Sequence, residues 1–121
     1  MTIERSWPFN IIYSSGTTGT PKGIVQSHVM RWGQLRRAES GGYGPDCVTL
    51  IATPLYSNTT LVSVIPTLAW GGCVVLMPKF DALAYLQAAE RQRATHTMLV
   101  PVQYQRLMAR PEFDTFDLSS F

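Results

Sequence analysis

The stretch from Tyr13 to Gly23, YSSGTTGTPKG, combines three glycines, five serine and threonine hydroxyls and one lysine. Glycines let a ligand approach the backbone closely and permit backbone angles that other residues avoid. Serine and threonine hydroxyls donate hydrogen bonds without bulk, and Lys22 adds a mobile positive charge. These are the properties that binding of a polyphosphate requires. We therefore interpret residues 13–23 as a phosphate-binding loop.

Two other interpretations of this loop compete with phosphate binding by residues 13–23. A surface turn also favours glycine and small polar residues, but it needs neither a lysine nor five hydroxyls after an apolar strand. The P-loop of nucleoside triphosphatases requires the pattern GxxxxGK[ST]. Counted from Gly16, Pro21 stands where the second glycine belongs, and Gly23 stands where the Ser or Thr should follow Lys22. The sequence therefore excludes that motif.

Alternating strand and helix patterns must position this loop. The apolar run FNIIYSS predicts a strand before the loop, and GIVQSH predicts a strand after it. A helix follows, and then come three more strands, each followed by a helix. Such alternation favours an α/β fold with a mostly parallel sheet flanked by helices. We expect one domain of this class.

Capping residues mark the predicted helix starts. Ser27, Asn58 and Asp81 stand where N-caps are expected, and Pro101 opens the last helix. Pro66 lies inside the second helix, where it should introduce a kink or an irregular turn. Glycine clusters end the first two helices.

Composition narrows the function classes. The chain has 121 residues, of which 45% are apolar and 15% charged, and its net charge is +2. The basic residues are scattered, which argues against binding of nucleic acid. Cys47 and Cys73 lack the spacing of a disulfide framework or a zinc site. With neither a signal layout nor a membrane-length apolar run, the sequence predicts no transmembrane segment and a cytoplasmic protein.

Several conspicuous side chains are interpreted as structural. His28 and His96 are expected to serve packing and hydrogen bonding rather than catalysis. The segment with Arg31, Arg36 and Arg37 is expected to form one solvated helix face. The tryptophans are expected in the core or against absent parts of the protein.

Longer stretches carry a resemblance to a known family. YSSGTTGTPKGIVQSH resembles the phosphate-loop motif of the adenylate-forming (AMP-binding) superfamily, and TPLYSNTTL resembles its next motif. The sequence from GGCVVLM through HTMLV to FDLSSF resembles the path towards the adenine-binding segment of the family. Nearly the whole chain is covered. The serine pair and GIVQSH are more similar to acyl-CoA synthetases than to peptide synthetases.

This resemblance implies a piece of the large N-terminal domain of an ATP-dependent acid–CoA ligase of the fatty-acid type. Such enzymes use ATP, Mg²⁺, coenzyme A and a small-molecule carboxylic acid, and first form an acyl adenylate. The loop would hold the β- and γ-phosphates. The implied nucleotide-binding residues are Ser14, Ser15, Gly16, Thr17, Thr18, Gly19, Thr20 and Lys22. No catalytic residue and no metal ligand is implied within this chain.

Residues 54–61 resemble the acyl-pocket motif. Where the family often carries a histidine or an aromatic residue, this chain has Tyr56, Ser57 and Asn58, which are the implied substrate contacts. A serine and an asparagine can hydrogen-bond a carboxylate or a polar substituent. Asn58 is equally suited to cap the second helix.

Family motifs beyond these have no counterpart in the chain. They comprise the adenine-binding glycine segment, the Tyr-Gly-x-Thr-Glu motif, the ribose-binding aspartate and the C-terminal catalytic lysine. We therefore expect a fragment that is inactive alone, with exposed apolar faces that can form a homo-oligomer. Two alternatives remain: a non-catalytic phosphate- or nucleotide-binding module, and a structural domain whose loop is vestigial.

Overall fold

A short antiparallel hairpin opens the fold. The structure, a computed structural model, describes residues 1–121. Strand β1 (Pro8–Ser14) pairs antiparallel with β2 (Lys22–Ser27), and the two form a separate two-stranded sheet. The connection between them is too short for the helical crossover that parallel pairing needs. This hairpin is the antiparallel exception in a fold predicted to be mostly parallel.

Helix α1 (His28–Glu39) follows the hairpin directly. The hydroxyl of Ser27 accepts a hydrogen bond from the Met30 amide at 3.4 Å, which confirms the predicted N-cap. The helix ends before a glycine-rich loop in which Gly42 has a φ of +82°, a left-handed conformation that favours glycine.

The parallel sheet forms the second part of the fold. It has the order β4-β3-β5, with β3 (Val48–Ile51) in the centre between β4 (Cys73–Leu76) and β5 (His96–Met98). Both neighbours run parallel to β3, as predicted. Helices α2 (Asn58–Ala69) and α3 (Ala82–Gln92) make the two crossovers. Helix α4 (Pro101–Met108) and a 3₁₀ turn (Phe113–Thr115) follow β5.

The apolar core lies between this sheet, α3 and α4. Leu50 at the centre of β3 is fully buried, and Tyr85 of α3 donates its hydroxyl to Thr97 of β5 at 2.5 Å. The other buried members of the core are Leu86, Ala88, Ala89, Ala94, Leu99 and Leu107. Asp81 accepts from the Ala84 amide at 2.8 Å, so the predicted cap of α3 is confirmed.

Helix α2 buries polar side chains, and two of its buried threonines are hydrogen-bonded. Thr67 donates to the Ser63 carbonyl at 2.7 Å, and its hydroxyl lies 2.6 Å from that of Thr49. Thr60 donates to Thr53 at 2.7 Å. These hydrogen bonds offset the loss of water contacts when the hydroxyls are buried. The helix continues through Pro66 to Ala69.

His96 connects the glycine-rich loop to the amino end of the sheet by hydrogen bonds. Its Nε2 donates to the Gly41 carbonyl at 2.8 Å, which leaves Nδ1 to face Thr95 at 2.8 Å and the Cys47 thiol at 3.3 Å. These contacts are structural, as the sequence predicted for His96. Both cysteines are free thiols.

Candidate functional site

The phosphate-loop motif closes the end of the β1–β2 hairpin. Ser14 is the last residue of β1 and pairs with Lys22, the first residue of β2, so residues 15–21 bridge the strands. Directly opposed residues of an antiparallel pair present their side chains on one face. The hydroxyl of Ser14 and the ammonium group of Lys22 therefore share a face at the base of the loop.

The backbone of the loop is shaped around two glycines. The Gly19 amide donates to the Gly16 carbonyl at 3.1 Å, and Gly19 has a φ of +81°. A Cβ on Gly16 would lie 2.8 Å from the Thr20 carbonyl oxygen, which is closer than atoms can approach without a backbone shift. The tight turn thus requires glycine at both positions.

The polar side chains of the loop are not used within the protein. Neither the Lys22 ammonium group nor any loop hydroxyl takes part in a side-chain hydrogen bond or ion pair of the structure, and most of these groups are exposed. The hydroxyl residues concerned are Ser14, Ser15, Thr17, Thr18 and Thr20. Their donors are therefore available to a ligand. The feature that the sequence predicted as a phosphate cradle has the open donor set that a cradle needs.

The predicted acyl-pocket segment lies beside the hairpin. Residues 54–57 precede α2 and residues 58–61 form its first turn, and Tyr56 is 82% exposed. A groove of about 340 Å³ lies between this segment and β1, and we call it the tyrosine groove. It is lined by Asn10, Ile11, Ile12, Tyr13, Leu55, Tyr56 and Leu61. The fold thus brings the phosphate-loop strand and the acyl-pocket segment to one groove.

A second groove continues from Tyr56 across the carboxyl ends of β3 and β4. It measures about 690 Å³, and both Leu55 and Tyr56 belong to its lining as well as to that of the tyrosine groove. Open α/β sheets bind their ligands outside the carboxyl ends of the strands. Tyr56 therefore stands between two surfaces where a substrate can lie.

The capping role predicted for Asn58 is wrong. Helix α2 begins at Asn58 itself, and Ser57 occupies the N-cap position without a side-chain capping bond. The side-chain oxygen of Asn58 instead accepts from the guanidinium of Arg31 at 2.9 Å. The side-chain oxygen that would have capped the helix is therefore hydrogen-bonded to a residue distant in the sequence.

The solvated position predicted for Arg31 is also wrong. Its side chain is 2% exposed, whereas Arg36 and Arg37 on the same helix are exposed as predicted. Burial lowers the pKa of Arg31 from its usual value, because desolvation penalises the charged form. An arginine nevertheless stays protonated at neutral pH. The Arg110–Glu112 pair is the one salt bridge of the chain, so the Arg31 charge has no carboxylate partner.

One signal in the sequence points to this buried arginine. Arg31 and Gln34 are three residues apart on α1, a spacing that brings side chains together on a helix. Asn10 is a polar residue inside the apolar run of β1. Neither Gln34 nor Asn10 alone predicts the burial of Arg31. That burial depends on the packing of α2, which comes from a distant part of the chain.

Comparison with known families agrees with the motifs. The family described as AMP-binding enzyme matches residues 2–121. The chain belongs to this family. The match includes both the phosphate loop and the segment that ends in α2.

Relatives and solved structures support the same membership. The chain is 40% identical over 119 residues to an indoleacetate–CoA ligase of Aromatoleum aromaticum, covering 93% of this chain and 22% of that protein. It is 38% identical over 112 residues to a feruloyl-CoA synthase of Amycolatopsis, covering 91% of this chain and 23% of that protein. ATP-bound MatB from Rhodopseudomonas palustris superposes with a TM-score of 0.81 at 34% identity, covering 92% of this chain and 22% of that chain.

The chain of this AMP-binding family member thus spans little more than a fifth of the relatives it matches. None of its helices combines the length and apolar character needed to cross a membrane. No three His, Cys, Asp or Glu side chains gather into a group able to hold a metal ion.

Proposed function

We propose that this chain is the phosphate-loop segment of an ATP-dependent acid–CoA ligase, which activates a carboxylate as an acyl adenylate before forming a thioester. The observation that carries the proposal is the loop of residues 13–23. Its hydroxyl and ammonium donors are unused within the protein, and its strand borders the same groove as the acyl-pocket segment. Family membership and the names of the relatives support this assignment.

In the first step, a carboxylate oxygen of the acid bonds to the α-phosphorus of ATP, and the bond to the bridging oxygen breaks. Pyrophosphate leaves with the bonding electrons, so negative charge grows on the β- and γ-phosphates. The hydroxyls and amides of the loop, together with Lys22, stabilise that charge by positioned hydrogen bonds and attraction. The loop residues with this role are Ser14, Ser15, Gly16, Thr17, Thr18, Gly19, Thr20 and Lys22.

In the second step, the sulfur of coenzyme A bonds to the acyl carbon, AMP leaves and the thiol proton passes to solvent. Residues on this chain contribute the entrance for the acid rather than a nucleophile. Tyr56 presents its ring at the groove, Ser57 retains a free hydroxyl, and the side-chain nitrogen of Asn58 makes no hydrogen bond within the protein. These groups are suited to hold the acid near the loop.

The class of acid is a finer question. The resemblance implied an enzyme of the fatty-acid type, whereas the sequence itself did not name the acid. The exposed Tyr13 and Tyr56 rings and the aromatic acids named for two relatives favour an aromatic acid, which such rings can stack against. A cytoplasmic location, Mg²⁺ as the companion of ATP, and a homo-oligomer formed through exposed apolar faces stay predictions.

Acid-dependent exchange of labelled pyrophosphate into ATP tests this function. The assay compares the full-length protein that carries this chain with the 121-residue chain, across aromatic, short-chain and long-chain acids. We expect exchange by the full-length protein, with aromatic acids preferred, and none by the chain alone. If the full-length protein binds ATP but shows no exchange with any acid, the ligase proposal is wrong and a nucleotide-binding module is the better interpretation.

Lys22 sharpens this test. Replacing it in Lys22→Met removes the one cation of the loop and is expected to slow exchange by about 100-fold or more. Arg91→Met removes an exposed cation from α3 and serves as the matched control, with exchange expected at the wild-type rate. Equal rates for the two variants would show that the loop is vestigial.

A further inference from the structure

The Arg31 guanidinium connects three elements of the fold. Its Nε donates to the Asn10 side-chain oxygen of β1 at 3.1 Å, and one terminal nitrogen donates to Gln34 of its own helix at 2.8 Å. The other terminal nitrogen donates to Asn58 at the start of α2 at 2.9 Å. Asn10 lies on the strand that leads into the phosphate loop, and Asn58 lies in the acyl-pocket segment. One side chain therefore bridges both halves of the candidate site.

All three acceptors are neutral amides, which makes this cluster unusual. Burying a charge without a carboxylate partner costs stability, and apolar residues of similar volume are often better tolerated. Gln26 pairs with Asn10 across the hairpin, so its side chain lies on the same face, and its oxygen is buried without a hydrogen-bond partner. The face of the hairpin near Arg31 is thus polar. Stability alone does not explain a buried arginine here.

A guanidinium supplies what an apolar residue does not, namely donors in a fixed planar arrangement. Its nitrogens point in set directions, so one group holds three acceptors at defined relative positions. The ammonium group of lysine is a single point on a flexible stem and does not reproduce that geometry. The contacts of Arg31 therefore fix the hairpin and the start of α2 relative to each other.

We propose that Arg31 is a positioning residue, which holds the phosphate loop and the acyl-pocket segment at the spacing that in-line attack of the acid on ATP requires. This inference rests on the proposed ligase function. Reactions between two bound substrates are sensitive to spacing, and a displacement of about 1 Å can cost 100-fold in rate. Arg31 acts through Asn10 and Asn58 and is not assigned a contact with the reacting atoms.

Kinetics of the full-length protein test the proposal with Arg31→Lys and Arg31→Met. We expect kcat for pyrophosphate exchange to fall by about 100-fold and the KM of the acid to rise, while the Kd of ATP stays within about twofold. Arg37→Met, on the exposed side of the same helix, is the control and is expected to match the wild type. Wild-type kcat in both Arg31 variants would overturn the proposal. So would a loss of ATP binding in parallel with kcat, since that indicates general unfolding.

Asn10 supplies a second variant. Asn10→Leu removes the acceptor oxygen of the Arg31 Nε and is expected to behave like Arg31→Lys. Combining Asn10→Leu with Arg31→Lys should add little further loss, because both break the same link. Full additivity of the two losses would contradict a shared role.

A distance measurement decides the proposal even if no acid supports exchange. Spin labels at Ile24→Cys on β2 and Thr59→Cys on α2, with Cys47 and Cys73 replaced by serine, report the spacing of the two elements. Both labelled positions are exposed. We expect a narrow distance distribution with Arg31 and a broad one with Arg31→Met. An unchanged distribution would overturn the positioning role, whereas failed exchange by the wild-type protein would overturn only the proposed function.

Discussion

The two parts of this fold bury their residues very differently. In the hairpin and α1 (residues 8–39), Gln26 and Arg31 are the buried residues, and both are polar. In the parallel sheet and its helices (residues 48–108), the buried residues include the whole apolar core. We call these the hairpin part and the sheet part. The sheet part has its own source of stability, whereas the hairpin part depends on polar contacts with its neighbour.

This difference matches the work assigned to each part. A loop of the kind proposed to bind a charged ligand has to keep its donors exposed, so the residues around it contribute little burial. A scaffold that holds the loop in place needs a core. The Arg31 contacts join the two parts at the candidate site.

The largest effect is expected from Leu50→Ala at the centre of β3. Removing this fully buried side chain should lower the free energy of unfolding by about 2–5 kcal/mol, through lost burial and the cavity left behind. Ile24→Ala on the hairpin removes a side chain that is 46% exposed and should change it by no more than about 0.5 kcal/mol. Urea unfolding measures both. Equal losses would show that the hairpin part contains as much of the stabilising core as the sheet part.

A pH dependence should come from Tyr85 in the sheet part. Burial raises its pKa to about 12, because desolvation penalises the charged phenolate. The folded state therefore holds the phenol proton at pH values where the unfolded chain releases it. The contribution of Tyr85 to the free energy of unfolding is therefore fully present below pH 10. It falls by an amount on the order of 2–3 kcal/mol between about pH 10 and 12.

Unfolding free energies measured across that range should fall less steeply for Tyr85→Phe than for the wild type. Tyr13→Phe removes an exposed hydroxyl from the hairpin part and is expected to follow the wild-type curve. A Tyr85→Phe curve parallel to the wild-type curve would contradict the burial of an ionisable phenol in the sheet part.

The smallest effect is expected from Gly33→Ala within α1. A Cβ at this position meets no atom within 4 Å, and alanine is a better helix former, so the helix should gain about 0.5–1 kcal/mol. Gly42→Ala is the opposing control, because its φ of +82° strains any residue with a side chain. Hydrogen exchange of the α1 and β3 amides shows which element gains stability. An increase in protection confined to α1 would support the distinction between the hairpin part and the sheet part. An equal increase in β3 would contradict it.

Local signals predicted much of the fold. The order of strands and helices and the caps Ser27 and Asp81 depend on neighbouring residues in the sequence, and the structure confirms them. The glycine and hydroxyl composition of the phosphate loop is equally local. These features need no knowledge of tertiary packing.

The errors have a shared physical origin in long-range contacts. Arg31 donates hydrogen bonds to Asn10 and Asn58, which lie 21 and 27 positions away in the sequence. The side chain of Asn58 accepts from Arg31 and does not cap α2. A pattern of local spacing does not contain these partners. For the same reason, the groove shared by Tyr13 and Tyr56 emerges only when β1 and the segment before α2 lie side by side.

The two-stranded hairpin has a consequence for how the chain behaves as a separate molecule. Each of its strands has a single partner, so the outward edges of β1 and β2 carry backbone N–H and C=O groups without strand partners. Such edges are templates for an added strand, and isolated two-stranded sheets are only marginally stable in water. An extended segment from elsewhere in a longer protein can complete the sheet at either edge. Without such a segment, neighbouring molecules can pair their exposed strand edges with each other. We therefore expect the separate chain to aggregate at high concentration.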